Sequence, residues 1–525
     1  MIRIWFYILS AAALAAVAIV APFWPGVLYF LILIVPLIGL GIYDIASRHN
    51  VLSNYPIIGH LRYMLEFISP EIRQYFLESD KSGRPYNRQQ RNLVYARGRG
   101  EDGVHPFGTE YDPQDPGYNF ALHSIAVKKV DESAARVTIG GPQCKQPYSS
   151  SRLNISAMSF GALSSRAVLA MNLGAKLGGF AQDTGEGGLA PYHLKYGADV
   201  IWEIASAYFG CRTSEGRFDD EVFRDKANRD EIKMIEIKLS QGAKPGHGGL
   251  LPAAKITKEI SEVRGVPMGK DCLSPPSHPE FSTPRELMDF IVRLRKLCNG
   301  KPVGFKLCIG HRSDFMGICK AMLETGVKPD FITIDGSEGG TGAAPIELTD
   351  RVGMMINEAL PFVHSVLVGT NLRDDIKLIA SGRIVSGFDM AHKVALGADV
   401  CNMARPFMFS VGCIQAMRCH TNTCPTGVAT QDPRRARAIH VEERGRHVQR
   451  FHKATVANFL DMVGIMGVDH PDKLTPGHVL HRLPDQRAVS YAELYSYLEP
   501  GDLLQGKVPE QYATAWQRAS AEGFF

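Results

Sequence analysis

Val303–Ile309 (VGFKLCI), Phe331–Asp335 (FITID), Leu378–Ser381 (LIAS) and Asp399–Ala404 (DVCNMA) are four short apolar runs, separated by amphipathic stretches with helical spacing. Upstream, Ile235–Leu239 (IEIKL), Gly179–Asp183 and Asn154–Phe160 (NISAMSF) extend the series, and a helix is expected at about Ser164–Leu177. Strands that alternate with helices imply parallel pairing through crossovers. Spread over about 270 residues, the pattern suits one (β/α)8 barrel. A doubly wound open sheet shares the same pattern, and the alternation by itself does not separate the two.

Composition narrows the classes around this centre. Hydrophobic residues make up 45% of the 525, enough for a large core and against general disorder. The 58 Lys and Arg against 54 Asp and Glu leave a net charge of only +4, which argues against a dedicated nucleic-acid binder. Fifty-one glycines and 31 prolines show no period, so collagen and repeat arrays are excluded. Ten cysteines, scattered from Cys144 to Cys424, suit reduced thiols or a metal site better than a secreted disulfide framework.

From Ile4 to Tyr43 no residue is charged, a run of 40 that is twice what a bilayer core requires. Pro22, Pro25 and Gly26 interrupt it around Trp24. Two spans are expected, about 4–22 and 27–45, with Trp5, Tyr7, Phe23, Trp24 and Tyr29 near their ends. A cleaved signal peptide would be followed by polar sequence rather than by a second span. Arg3 precedes the first span, and Arg48, Arg62 and Arg73 follow the second, so both ends are expected in the cytoplasm. The expected location is the cell (inner) membrane, two-pass, with the catalytic domain on the cytoplasmic side.

The organisation expected is a transmembrane hairpin over 1–48, a lead-in over 49–150, a barrel over 151–430 and a helical C-terminal extension over 431–525. The lead-in shows a helical pattern near Ile57–Phe67, then a polar stretch over Glu78–Gly108, and reads as a segment packing on the barrel or lying along the membrane surface. Arg434, Arg435, Arg437, Arg444, Arg446 and Arg450 form a basic stretch that reads as a solvated helix face, with anionic lipid or an electron-donor protein as the alternative contact.

Cys413, Cys419 and Cys424 lie in GCIQAMRCHTNTCPTGVATQ, spaced x5 and x4. Three thiolates in a loop punctuated by Pro425 and Gly427 can converge on one inorganic core. Zinc would ask for CxxC pairs and a fourth ligand, and only His420 is near; three unrelated buried thiols are the other alternative. The segment resembles the cluster loop of the glutamate synthases, whose [3Fe–4S] cysteines share this spacing and the following Pro and GVATQ. The resemblance covers most of residues 147–430 and is to the FMN-binding glutamate synthase family, in its shorter, membrane-tethered form.

This resemblance implies a (β/α)8 barrel holding FMN and a [3Fe–4S] cluster on Cys413, Cys419 and Cys424. It places Ala157, Met158 and Ser159, where small residues let backbone approach a flat ring, beside the flavin, although Ser164 also reads simply as a helix N-cap. It assigns Glu186, in the glycine loop Asp183–Gly188, to proton transfer at the substrate carbon and amine. In Ile235–Gly249 (IEIKLSQGAKPGHGG), Lys238 and Lys244 lie six apart; Lys244 becomes a 2-oxo acid ligand and Gln241 a flavin neighbour. Arg264 falls where the family grips a substrate carboxylate. Lys306, a charge in a central strand, needs a partner and reads as a flavin-ring neighbour. The loops carrying Gly339, Gly340 and Thr341, and Ser381, Gly382 and Arg383, follow late strands, where barrels build phosphate sites.

The chain departs from the family at two positions, with Leu250 in place of a substrate-contacting glutamine and His247 in place of a glutamate. Losing an amide donor costs roughly 1–3 kcal/mol of binding or changes the preferred acid. An N-terminal amidotransferase domain with a cysteine nucleophile and a nicotinamide-binding domain are not expected, since the first cysteine is Cys144. The implied reaction is reductive amination of 2-oxoglutarate to glutamate, with electrons from a ferredoxin-like carrier and ammonia that is free or supplied by a separate glutaminase subunit. An FMN oxidoreductase acting on a different amine or oxo acid, and an electron-transfer subunit of a membrane complex, are the alternatives.

Overall fold

The computed structural model describes residues 2–101, 103–104 and 106–525. The apolar runs form eight short strands: β1 (Leu153–Ile155), β2 (Ala181–Asp183), β3 (Asp199–Ile204), β4 (Ile232–Lys238), β5 (Val303–Leu307), β6 (Phe331–Asp335), β7 (Lys377–Ser381) and β8 (Val400–Met403). All pair in parallel and in sequence order, and β8 returns to β1 through Cys401–Leu153, Asn402–Asn154 and Met403–Ile155. The circuit is closed, so the fold is a (β/α)8 barrel and the open sheet is ruled out. Strands of such a barrel are buried on both faces, which is why they read as continuous apolar runs.

Seven of the eight strands coincide with the runs read from sequence; β3, Asp199–Ile204 (DVIWEI), was not among them. Asn154–Phe160 is a strand only to Ile155, beyond which the chain leaves the sheet to form the rim. The helix Ser165–Gly178 lies where expected; the Ser164 hydroxyl caps it, accepting from the Ala167 N–H at 3.2 Å. The 25-residue helix Val441–Ile465 packs along it at close quarters, since a Cβ on Gly174 would lie 2.3 Å from Val448.

Ile139, Tyr148, Ala181, Ile201, Met234, Phe331, Ile379 and Val400 form an apolar floor at the N-terminal end of the barrel. The antiparallel pair Arg136–Ile139 and Tyr148–Ser151 contributes two of these residues. Polar groups are therefore left to the upper half of the barrel and its C-terminal rim.

Contacts divide the chain into two compact units, Met1–Arg88 and Gln89–Phe525. In the first, helices Ile2–Val20 and Leu31–Ala46 are long and apolar enough to cross a membrane once the 3-10 turn Pro25–Phe30 is counted with the second. In the second, the polar stretch expected to be irregular holds a helix ending at Arg99, which buries Arg91, Val94 and Arg97. The C-terminal extension is helical only in part. Its strands Val479–Arg482 and Ala488–Ser490 join Asn119–Ala121 of the lead-in as a three-stranded sheet.

Candidate active site at the barrel rim

Glu186 lies on the glycine loop that leaves β2, and Lys238 is the last residue of β4. The Lys238 ammonium donates to the Glu186 carboxylate at 2.6 Å, and Lys244 stands 3.9 Å from its other oxygen. Gly249 lies opposite, where a Cβ would come 2.7 Å from the carboxylate and push it aside. Burial alone would raise the Glu186 pKa, but Lys238, Lys244 and Arg264 outweigh it and pull it down to about 2. This carboxylate is ionised at neutral pH: it can accept a proton but has none to give. Burial works the other way on Lys244, lowering its pKa despite the neighbouring Glu186.

Arg264, at the C-terminus of the helix Lys258–Arg264, reaches back to the β1 rim. Its Nη2 donates to the Phe160 carbonyl at 3.1 Å and lies 3.4 Å from the Ser159 hydroxyl, while the guanidinium sits over the Phe209 ring. Its buried Nε has no partner, and among the described residues no carboxylate pairs with it. Three cations thus face one carboxylate, leaving an excess of positive charge. Glu186, Lys238, Gln241, His247 and Gly249 are among the residues lining an adjoining narrow cleft. His247 is exposed there, whereas Leu250 pairs with Leu273 in a two-residue strand. His278, which sequence reading missed, braces Lys238 by bonding its carbonyl at 2.8 Å; burial pushes its pKa down to about 4, so the ring is neutral.

The residues expected around a flavin fall on the same rim. Ala157, Met158 and Ser159 follow β1, Gln241 follows β4, Gly339–Thr341 follow β6, and Gly382 and Arg383 follow Ser381 at the end of β7. A Cβ on Gly242 would lie 1.8 Å from the Gly336 carbonyl, so the β4 and β6 loops touch directly; the Gly242 N–H donates to Asp335 at 2.8 Å. Ser156 and Ser381 hydroxyls meet at 3.4 Å. Arg383 is exposed on left-handed backbone (φ 48°) with no carboxylate partner among the described residues. Arg405, also missed from sequence, donates to the Glu338 carbonyl at 2.7 Å and crosses Gly340, where a Cβ would come within 2.8 Å of it. Small residues at one side and side-chain-free backbone with two guanidinium groups at the other fit a flat ring carrying a phosphate.

Beneath the rim the balance of charge is reversed. Lys306 of β5 is buried, its ammonium bonded to Glu203 and 3.4 Å from Glu236. Asp183, Glu203 and Glu236 bring carboxylate oxygens within 4.8 Å of one another. Burial, then Glu236 and Glu203, hold the Asp183 pKa well above the ordinary range, and burial also raises Glu236, whose other oxygen accepts from Thr333 at 2.6 Å. Burial opposes the charge on Lys306, but the surrounding carboxylates prevail and keep its pKa well above normal. Sequence reading singled out Lys306 and missed the three acids.

All ten cysteines are free thiols. Cys413, Cys419 and Cys424 share one loop in which Gln415, Met417 and Asn422 adopt positive φ, a strained backbone for non-glycine residues. Burial pushes Cys413 up to about 12, and Cys419 and Cys424 lie near enough to add to the shift. Burial also works against the Cys424 thiolate, but the N–H groups of Ala429, Thr426 and Val428 and the Thr426 hydroxyl outweigh it and lower its pKa. The loop is tied on two sides. Tyr95 donates to the Cys413 carbonyl at 2.7 Å; Lys255 donates to the carbonyls of Cys419, Ala429 and Ala162, at 3.2, 3.4 and 2.7 Å.

Residues 123–469 match the family described as a conserved region in glutamate synthase. Over 488 residues the chain is 39% identical to a glutamate synthase large subunit-like protein of Bacillus subtilis (strain 168), covering 85% of this chain and 93% of that one. An archaeal glutamate synthase [NADPH] of Archaeoglobus fulgidus is 35% identical over 61% of this chain, which spans 59% of that relative's length. Among solved structures, the recombinant flavin-binding domain of baker's yeast flavocytochrome b2 aligns at 14% identity and a TM-score of 0.43, covering 80% of this chain and 84% of that one.

Proposed function

The chain belongs to the glutamate synthase family, and on that premise we propose that it is a membrane-anchored oxidoreductase that reductively aminates a 2-oxo acid, converting 2-oxoglutarate to L-glutamate. The observation that carries the reading is the pocket of Lys238, Lys244 and Arg264 around the single carboxylate of Glu186, whose excess positive charge suits a small dianion. When bound at the rim and on Cys413, Cys419 and Cys424, FMN and a [3Fe–4S] cluster would supply hydride and the electrons that renew it. Arg264 and Lys244 hold the two carboxylates of the acid. Glu186, ionised, accepts hydrogen bonds from incoming ammonia, aims it at the 2-oxo carbon and relays the proton that the nitrogen sheds once it has attacked. Lys244, whose hold on its own proton is weakened by burial, returns one to the departing hydroxyl.

Electrons come from an external carrier of ferredoxin type, and ammonia is free or delivered by a separate glutaminase subunit. Helices Ile2–Val20 and Pro25–Ala46 anchor the chain as two spans with the barrel on the cytoplasmic side. His247 at the cleft, with Leu250 in place of an amide donor, favours a second reading in which the acid or the amine differs.

The test mixes anoxically purified, chemically reduced protein with 2-oxoglutarate and ammonium, following flavin absorbance and glutamate. Flavin reoxidation coupled to glutamate formation is expected. Reoxidation only with another oxo acid or amine moves the assignment to the second reading. If no acid or amine, nor glutamine, reoxidises a flavin that is present, the synthase reading fails. Glu186→Gln adds a check: a subunit that only carries electrons is indifferent to it, whereas the enzyme loses turnover.

A further inference from the structure

We infer that the helix Ile58–Ile72 is an in-plane membrane helix, seated with its apolar stripe in the headgroup boundary of the leaflet that receives the end of the second span. The inference rests on the two-span anchor proposed above. At 3.6 residues per turn, Ile58, Leu61, Met64, Leu65, Ile68 and Ile72 share one arc of about 120°, while Arg62, Glu66 and Glu71 lie off it. The first five are between 36% and 64% exposed, where a helix on a soluble core would bury such a stripe. Tyr75, Phe76 and Leu77 continue it, the last two 82% and 74% exposed.

Lipid is the occupant because of where the helix begins. Asp44 closes the second span, fully buried, and its carboxylate accepts from the Ile57 N–H at 2.9 Å and lies 2.9 Å from the His60 ring. Ile57 itself adopts φ 66°, a conformation that is strained for a β-branched residue and persists only where surrounding bonds enforce it. The helix is thereby fixed to the membrane-side end of the span. Its fifteen residues make about 22 Å, short of the roughly 30 Å hydrocarbon core, and it carries charge, so it lies along the surface rather than across it. Arg62 pairs with Glu66 at 2.8 Å on the polar side, as a headgroup-facing pair would.

The test uses the full chain in vesicles of phosphatidylethanolamine and phosphatidylglycerol, with a benzophenone amino acid replacing Leu61, Leu65, Glu66 or Leu33 in turn. After illumination, lipid adducts at 61 and 65 are expected to exceed those at 66 at least fivefold and to approach those at 33 in the span. Lipid adducts at 33, with cross-links from 61 and 65 to residues 89–525 or to another protein, overturn this inference and leave the anchor standing. Absence of lipid at 33 overturns the anchor, and this inference with it.

Discussion

The rim pocket and the barrel interior beneath it are built from the same residue types in inverse proportion. In the pocket, Lys238, Lys244 and Arg264 face one carboxylate, Glu186. In the interior, Asp183, Glu203 and Glu236 surround one ammonium, Lys306. Asp183 and Glu186 stand three residues apart in the sequence, yet burial and like charges push the pKa of the first well above the ordinary range while lysines pull that of the second below it. In the interior the acids outnumber the cation, and the raised pKa values of Asp183 and Glu236 relieve part of that excess by favouring their neutral forms. The pocket's excess is cationic, and its arginine cannot give up a proton. Under the proposed function an anion from solution completes it, which separates a scaffold from a binding site.

The largest effect should come from breaking the interior. Lys306→Met leaves three buried carboxylates without a cation and should cost about 3–5 kcal/mol, read as a fall in the unfolding midpoint. Adding Glu203→Gln and Glu236→Gln should restore most of it; no recovery would mean that Lys306 matters for packing rather than charge. Next, pH should separate the two regions. The Glu186 pKa in the folded chain, about 2, lies below its ordinary 4.5, so its contribution of roughly 3 kcal/mol is complete above pH 4.5 and lost as the pH falls toward 2. Asp183 runs the other way: its raised pKa gives stability at low pH that is lost as the pH climbs above 3.8. Unfolding midpoints followed by tryptophan emission across pH 3–8 should therefore depart from the parent with opposite signs as the pH rises, Glu186→Gln falling below it and Asp183→Asn rising above it.

Smaller effects test the pocket. Lys244→Met should lower kcat/KM for 2-oxoglutarate about 30-fold, roughly 2 kcal/mol, with little change in the unfolding midpoint. An equal loss of stability would show Lys244 to be structural. Leu250→Gln should shift KM least, by about fivefold or roughly 1 kcal/mol, and a reversal of acid preference would locate selectivity at that position.

Much of this architecture was legible from local pattern. Runs such as FITID and VGFKLCI declare buried parallel strands because both of their faces must be apolar. β3 escaped because DVIWEI carries Asp199 and Glu203, and the partner that makes Glu203 tolerable, Lys306, lies 103 residues away. The helix ending at Arg99 escaped for a related reason: Arg91 and Arg97 look like surface residues until the Ile414 carbonyl and the Thr455 hydroxyl, over 300 residues distant, receive them. Among candidate site residues, the three cysteines stood out by their spacing, while Glu186 and Lys244 took their expected roles from resemblance to the family. Lys238 was visible as a residue type, but nothing in its surroundings announced its 2.6 Å bond to Glu186.

Lys255, a buried ammonium shared among the carbonyls of Ala162, Cys419 and Ala429, ties the first rim loop to the cysteine loop, and Gln431 repeats the tie at Gly161 and Leu163. The two loops consequently share one length constraint. An insertion in either would strand a buried ammonium. Anyone grafting this rim onto another barrel, or shortening it, would have to move both loops and Lys255 as one cassette.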